Sequence, residues 1–240
     1  MNKFAQRTYK KEILDGDTIP FADIRQNMKE LNIINTLLGG HQITIEGIKN
    51  ILDFNIKIPQ LTICEIGCGG GDNLKAIDNW CSKNNIKTEF IGIDIKRECI
   101  EFAQQQYPSL NCHWIISNYE DVVFTDNQPD IIFSSLFCHH FTEEELIKVL
   151  QWKKAHSIKG FFINDLHRNR LAFYSIKFIT QLFSRSYLVK NDAPLSVARG
   201  FIKVEWKKLF QEAGIKNYII QWKWAFRHLI IFKHEATVTI

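Results

Sequence analysis

A short apolar run, residues 61–66 (Leu-Thr-Ile-Cys-Glu-Ile), leads into Gly67-Cys68-Gly69-Gly70-Gly71, and a helix-like segment, 72–82, follows at once. This juncture restricts the fold more than any other stretch. Glycine lets a turn be tight and lets a bound molecule approach the backbone closely. The helix that follows aims its free N–H groups and the positive end of its dipole at that turn. A strand feeding such a turn opens a sheet that cradles a ligand at its carboxyl edge.

Further short runs at 89–94, 112–116, 130–135 and 160–164 are apolar on both faces. Strands buried between two layers of helices read this way. A helix-like segment covers 97–106, and Thr142 opens another. Thr142 and Glu145 are spaced as a capping box, with Phe141 and Leu146 as the matching hydrophobic staple. Strands alternating with helices predict a parallel sheet covered on both sides. The tail breaks the alternation. A long amphipathic stretch covers 168–184, the turn-forming Asn191-Asp192-Ala193-Pro194 reads as a loop, and a helix over 204–213 ends at Gly214. Two final strands, 217–223 and 228–233, have no helix between them and are expected to form an antiparallel pair at the sheet edge. Residues up to about 54 read as helical. Asp23 can cap a helix carrying Ile24, Met28, Leu31, Ile34 and Leu38, Gly39-Gly40 stops it, and a second helix covers 44–52.

The glycine spacing decides what the loop can hold. A dinucleotide fingerprint, Gly-x-Gly-x-x-Gly, needs glycine where this chain has Asp72, and an acid there would repel a pyrophosphate. The third glycine falls at Gly71 instead, and Glu65, just before the loop, can hold an ammonium group. Both features suit a zwitterionic cofactor without phosphate.

Over about residues 62–166 the chain resembles the class I S-adenosylmethionine-dependent methyltransferases, whose Glu/Asp-x-Gly-x-Gly-x-Gly loop follows the first strand. The resemblance implies an α/β fold: a Rossmann-like, seven-stranded, mostly parallel sheet with an antiparallel C-terminal edge strand. N-terminal helices and a helical insertion after the fifth strand complete it. Residues 1–54 would form an N-terminal helical cover, and 55–240 the methyltransferase domain, with the insertion at about 168–202. The resemblance also implies S-adenosylmethionine as cofactor. Glu65, Gly67, Cys68, Gly69 and Gly71 would cradle its methionine part and ribose, Asp94 would accept the ribose hydroxyls with Ile95 beside it, and Asn118 would meet the adenine. Tyr119 either packs on the adenine face or belongs to the core. Ser134 and Leu136 would pass beneath the sulfonium, and Arg25 could pair with the cofactor carboxylate.

Two adjacent histidines, His139 and His140, end the fourth strand, and His167 follows the fifth within Asn164-Asp165-Leu166-His167-Arg168. Ligands bind at this rim. A phenol has a pKa near 10, so a histidine there can take its proton at neutral pH. His140, then His139, then His167 are the candidate bases; each can instead be a structural residue, and the 164–168 cluster either a pocket wall or a capping and salt-bridge group. No metal is expected, since no carboxylate cluster is spaced for a catalytic magnesium, although Asp165 keeps that option open. The aromatic-rich segment 171–179 either roofs the site, which favours an aromatic or apolar acceptor methylated at a hydroxyl, or packs as core or dimer interface. Together with 196–201, the 164–168 segment is similar to a bacterial subgroup associated with small-molecule and pigment biosynthesis.

Composition trims the alternatives. The 240 residues suffice for one α/β domain with an appendage. A net charge of +4 neither demands nor excludes an acidic partner, and no Lys/Arg run is long enough for a nucleic-acid tail; no nucleic-acid partner is expected, and an RNA or protein methyltransferase or a non-catalytic cofactor-binding module stand as alternatives. The six cysteines form no Cys-x-x-Cys pair, and no apolar signal core or membrane span is present. A cytoplasmic protein with reduced thiols, a small-molecule acceptor, and a monomeric or homodimeric state is expected.

Overall fold

The structure is a computed structural model that describes residues 4–16, 18–53, 58, 60–124 and 128–235. Strands β1 (Gln60–Ile66), β2 (Lys87–Asp94), β3 (Cys112–Ile116), β4 (Ile131–Ser135), β5 (Gly160–Leu166), β6 (Tyr218–Lys223) and β7 (Arg227–Lys233) form one sheet in the order β3-β2-β1-β4-β5-β7-β6. The first five pair in parallel, and β7 lies between β5 and β6, antiparallel to both. The antiparallel pair therefore forms the sheet edge as a unit. After β1 the chain builds outwards to β3, then returns to place β4 on the other side of β1. That reversal opens a crevice at the carboxyl ends of β1 and β4.

Helices cover both faces. On one, α5 (Glu143–His156) and α8 (Lys203–Glu212) bury Leu146, Val149, Leu150, Leu209 and Phe210 against the sheet. On the other, α2 (Gly40–Ile51) and α3 (Asp72–Lys83) bury Ile48, Ile51, Leu74 and Ile77. Each fully buried side chain of this kind contributes about 1.5–3 kcal/mol. The α5 capping box forms: Thr142 accepts from the Glu145 backbone N–H at 3.3 Å, and the Glu145 carboxylate accepts from that of Thr142 at 2.8 Å. All six cysteines are free. Among the described residues no helix is long and apolar enough to cross a membrane.

Four sequence expectations need correcting. Residues 4–16 are a strap with a single 3₁₀ turn, Ile13–Asp15, rather than helix. In α1 (Phe21–Leu37) Asp23 sits within the first turn, and Pro20, with its fixed φ, precedes the helix instead. Gly39, at φ 74°, starts α2 directly, so the glycines join two helices and α2 begins four residues before 44. Residues 191–194 lie inside α7 (Tyr187–Arg199). Tertiary contact overrides the turn propensity there: Leu188, Val189 and Val197 are buried, and the Asp192 carboxylate accepts the N–H groups of Ile13 and Leu14 at 2.8 and 3.0 Å. Between α7 and β5 runs α6 (Arg170–Phe183), capped by Asn169.

Candidate active site

A cavity of about 740 Å³ occupies the crevice. Its floor is the glycine loop. Gly67, Gly69 and Gly71 have φ of 68°, 50° and 75°, values that favour glycine. A Cβ on Gly67 would also lie 2.1 Å from the Phe137 ring. The Asp94 carboxylate ties the loop down, accepting from the N–H of Gly69 at 2.8 Å and of Lys96 at 2.9 Å. Burial raises its pKa, and these two N–H bonds oppose the rise.

Glu65 lines the cavity although it is only 1% exposed. Its Oε1 accepts from Asn73 at 3.2 Å, and its Oε2 is buried without a partner. Burial, and then the charge of Asp72, push its pKa well above the usual carboxylate range. A buried acid with one unpartnered oxygen is an incomplete site, and a cation beside it would complete it.

A 3₁₀ turn, Cys138–His140, brings both histidines to the cavity wall, their ring centres 4.4 Å apart. His139 is buried, and its Nδ1 lies 2.7 Å from Asp165 Oδ1. Burial alone would lower its pKa, but the carboxylates of Asp165 and Glu12 outweigh that and hold it up to about 9. At neutral pH His139 is a cation and not a base. His140 is partly exposed, with Nδ1 3.1 Å from Asp15 Oδ1. The strap brings Glu12 and Asp15 here. Arg199 locks the turn, donating to the carbonyls of His139 at 3.1 Å and His140 at 2.7 Å.

Residues 63–156 match the family model described as methyltransferase domain. Over that stretch, less than half of its length, the chain is similar to methyltransferase domains. No curated protein matches the sequence. Among solved structures it is similar to the plantazolicin methyltransferase BpumL in complex with SAH, with a TM-score of 0.61 and 17% identity, covering 81% of this chain and 72% of that one. It is also similar to human N-acetylserotonin methyltransferase in complex with SAM, with a TM-score of 0.62 and 14% identity. That likeness covers 91% of this chain and 57% of the human one. At such identities the likeness is one of fold.

Within the cavity, Gly67, Cys68, Gly69, Asp94, Ile95, Asn118, Tyr119 and Leu136 all lie in the wall. Leu136 has φ 53°, a strained value for a branched residue that sets the turn out of β4. Asn118 also caps the turn at Tyr119, accepting from the Glu120 N–H at 3.4 Å. Tyr119 is edge-packed against Phe137, Phe141 and Trp152, so most of its ring belongs to the core.

Four sequence-predicted residues fall outside the wall. Gly71 starts α3 beneath it, packed on Trp114. Ser134 is fully buried beside Cys138, and its neighbour Ser135 lines the cavity with a partnerless Oγ. Strand alternation explains the exchange. Arg25 is exposed on the outer side of α1. His167 packs against His228, their ring centres 4.7 Å apart, away from the cavity. The 164–168 cluster is largely structural: Asn164 donates to Gly40 and Thr44, and Arg168 pairs with Glu205.

Sequence reasoning missed Glu12, Asp15 and Arg227. Arg227 is 2% exposed, lines the cavity, and donates to Asn35 Oδ1 at 2.8 Å. No local motif marks it, because the final hairpin carries it back across the sheet. The upper wall is apolar: Met28, Leu31 and Ile34 from α1, and Ala172, Ile176 and Ile179 from α6. The opposite side of α6 leaves Leu171, Phe178 and Phe183 exposed.

Proposed function

We propose that this protein transfers the methyl group of S-adenosylmethionine to a small, largely apolar or aromatic acceptor at a hydroxyl oxygen. The reading rests on one observation. One cavity is lined by Glu65 with its free oxygen, the Asp94 carboxylate, His140 and the apolar side chains of α1 and α6.

S-adenosylmethionine supplies an electrophilic methyl on a sulfonium. Glu65 receives its ammonium, Arg227 its carboxylate, and Asp94 the ribose hydroxyls through its remaining lone pairs. Asn118 lies where an adenine edge can be read, and Leu136 at the turn beneath the sulfonium. With 1–54 as a cover and 168–202 as an insertion, the α1 and α6 side chains exclude water and hold the acceptor. Alignment of oxygen, methyl and sulfur then contributes several kcal/mol, up to about 7–11 in favourable cases. The oxygen lone pair forms the new O–CH₃ bond as the C–S bond breaks with its electrons remaining on sulfur. The products are the methyl ether and neutral S-adenosylhomocysteine. The hydroxyl proton leaves at the His139–His140 end. His140 is the ring that faces the acceptor there, whereas His139 supports it from beneath.

The test is a screen of the full chain against phenols, quinols and amines, reading S-adenosylhomocysteine release. Turnover with hydroxyl acceptors is expected, together with a fall of about 10²–10⁴-fold in turnover but near-normal cofactor affinity for His140→Ala. Turnover confined to amines, or full turnover by His140→Ala at neutral pH, overturns the reading.

A further inference from the structure

The His139–His140 turn holds more than one ring needs. His139 Nε2 lies 3.6 Å from Glu12 Oε1, and His140 Nε2 lies 3.9 Å from Glu12 Oε2. Both distances exceed a hydrogen bond. One ligand atom from each of these residues fits within a 4.8 Å span, and all three residues line the cavity. The other nitrogen of each ring is already engaged by a carboxylate: Nδ1 of His139 by Asp165 at 2.7 Å, Nδ1 of His140 by Asp15 at 3.1 Å. The Asp165 bond keeps a proton on His139 Nδ1, so a cation beside Glu12 would take the place of the proton on Nε2.

We infer that Glu12, His139 and His140 bind one divalent transition-metal cation, Zn²⁺ or a close relative, at the acceptor end of the cavity. Three observations support this. Two imidazoles and one carboxylate, with a further position open, are the ligand set of catalytic zinc sites. Metal-bound imidazoles typically donate their second N–H to a carboxylate; His139 has Asp165 at 2.7 Å in that position, and Asp15 lies 3.1 Å from Nδ1 of His140. The spacing also fits. Ligands about 2.0–2.1 Å from a tetrahedral ion lie about 3.4 Å apart; the two distances to Glu12, 3.6 and 3.9 Å, are a few tenths of an ångström longer, and the full set, within 4.8 Å, closes by about 1.4 Å at most.

The surroundings are stiff enough to hold such a set. Arg199 fixes the carbonyls of both histidines, Arg7 donates to that of His139 at 3.2 Å, and Ser196 donates to Glu12 Oε1 at 2.7 Å, leaving that oxygen a lone pair. Nitrogen donors disfavour Mg²⁺ and Ca²⁺, which prefer all-oxygen shells. The competing arrangement is a metal-free one in which a doubly protonated His139 donates Nδ1–H to Asp165 and turns Nε2–H towards Glu12.

The inference rests on the proposed function for its purpose. The cation's open position faces the acceptor, binds its hydroxyl oxygen, and lowers that oxygen's pKa so that the proton passes to water. The cation, held by His140 and its partners, is then what the acceptor oxygen meets.

The experiment uses the full-length protein dialysed against a chelator, then titrated with Co²⁺ and followed by visible absorption, with Zn²⁺ stoichiometry measured by atomic emission. One equivalent of either metal and a tetrahedral or five-coordinate cobalt spectrum are expected. Glu12→Gln and His140→Ala should each weaken Co²⁺ binding at least tenfold. Asp15→Asn, which touches no metal, should weaken it about 10–100-fold. Asp15 lies on the partly exposed strap, so this variant serves as the test should the buried substitutions fail to fold. S-adenosylhomocysteine calorimetry on the same samples separates the two readings. Cobalt binding without cofactor binding sinks the methyl-transfer reading and leaves the metal site standing. Normal cofactor binding with no cobalt spectrum, or with unchanged cobalt affinity in Asp15→Asn, overturns the metal site.

Discussion

Replacing Glu65 by Gln tests the cofactor end of the cavity through a proton as well as an affinity. The native carboxyl is buried, one oxygen is held by Asn73, and burial and Asp72 raise its pKa well above the ordinary range. In the free protein the protonated form is favoured; an ammonium at Oε2 would favour the ionised form. Cofactor binding should therefore expel a proton from Glu65 and should strengthen as the pH rises towards its free-state pKa. Glutamine keeps the shape and removes both effects. A hydrogen bond to a charged group contributes about 1.5–3 kcal/mol, a factor of roughly 10–150 in Kd. Deprotonating the native acid consumes part of that, so the expected loss lies in the lower half of the range. Calorimetry with S-adenosylhomocysteine in buffers of different ionisation enthalpy gives both quantities. Equal affinity and equal proton release in Glu65→Gln and the native protein would refute the assignment.

Asp94→Ala removes the acceptor of the Gly69 and Lys96 N–H groups along with the ribose partner. It should raise the cofactor Kd by roughly 10–150-fold, and an unchanged calorimetric Kd would exclude the ribose role. Lys153→Met addresses stability. Lys153 is 0% exposed, its Nζ has no hydrogen-bond partner, and burial lowers its pKa to about 8 from the usual 10.5. The unfolded chain holds the proton more tightly, so stability rises with pH between about 8 and 10.5, and at pH 7 the full penalty applies. At 1.36 kcal/mol per pH unit that penalty is about 3 kcal/mol. Methionine should stabilise the fold at pH 7 by up to this amount and flatten the rise above pH 8; urea unfolding at pH 7 and 9.5 that shows no gain would sink the argument.

Several features could be read from the sequence because local chemistry dictates them. The β1 glycines, the Asp94 strand end and the Thr142 capping box are each set by residues within a few positions of one another. The central strands are apolar on every face because α2 and α3 cover one side and α5 and α8 the other. Other features were readable but were read wrongly. The face of α1 that buries Ile24 and Met28 puts Arg25 about a quarter-turn away from the cavity. The Asn-Asp-Ala-Pro signal at 191–194 is likewise weaker than the buried contacts that keep α7 continuous.

Glu12, Asp15 and Arg227 belong to a third kind. Nothing near Glu12 in sequence distinguishes it from an exposed acid, and its position depends on Asp192 and Arg199, which anchor the strap from α7. Arg227 depends on the closing hairpin in the same way. The division has a functional sense. On the proposed function, the parts legible from local motifs, Glu65, the glycine loop and Asp94, hold the cofactor, and those assembled from distant segments, the strap, the α1 and α6 walls and the His139–His140 turn, hold the acceptor. An acceptor-side pocket held by long-range contacts can be reshaped without disturbing the loop, so substitutions in the strap should change acceptor choice before they change cofactor affinity.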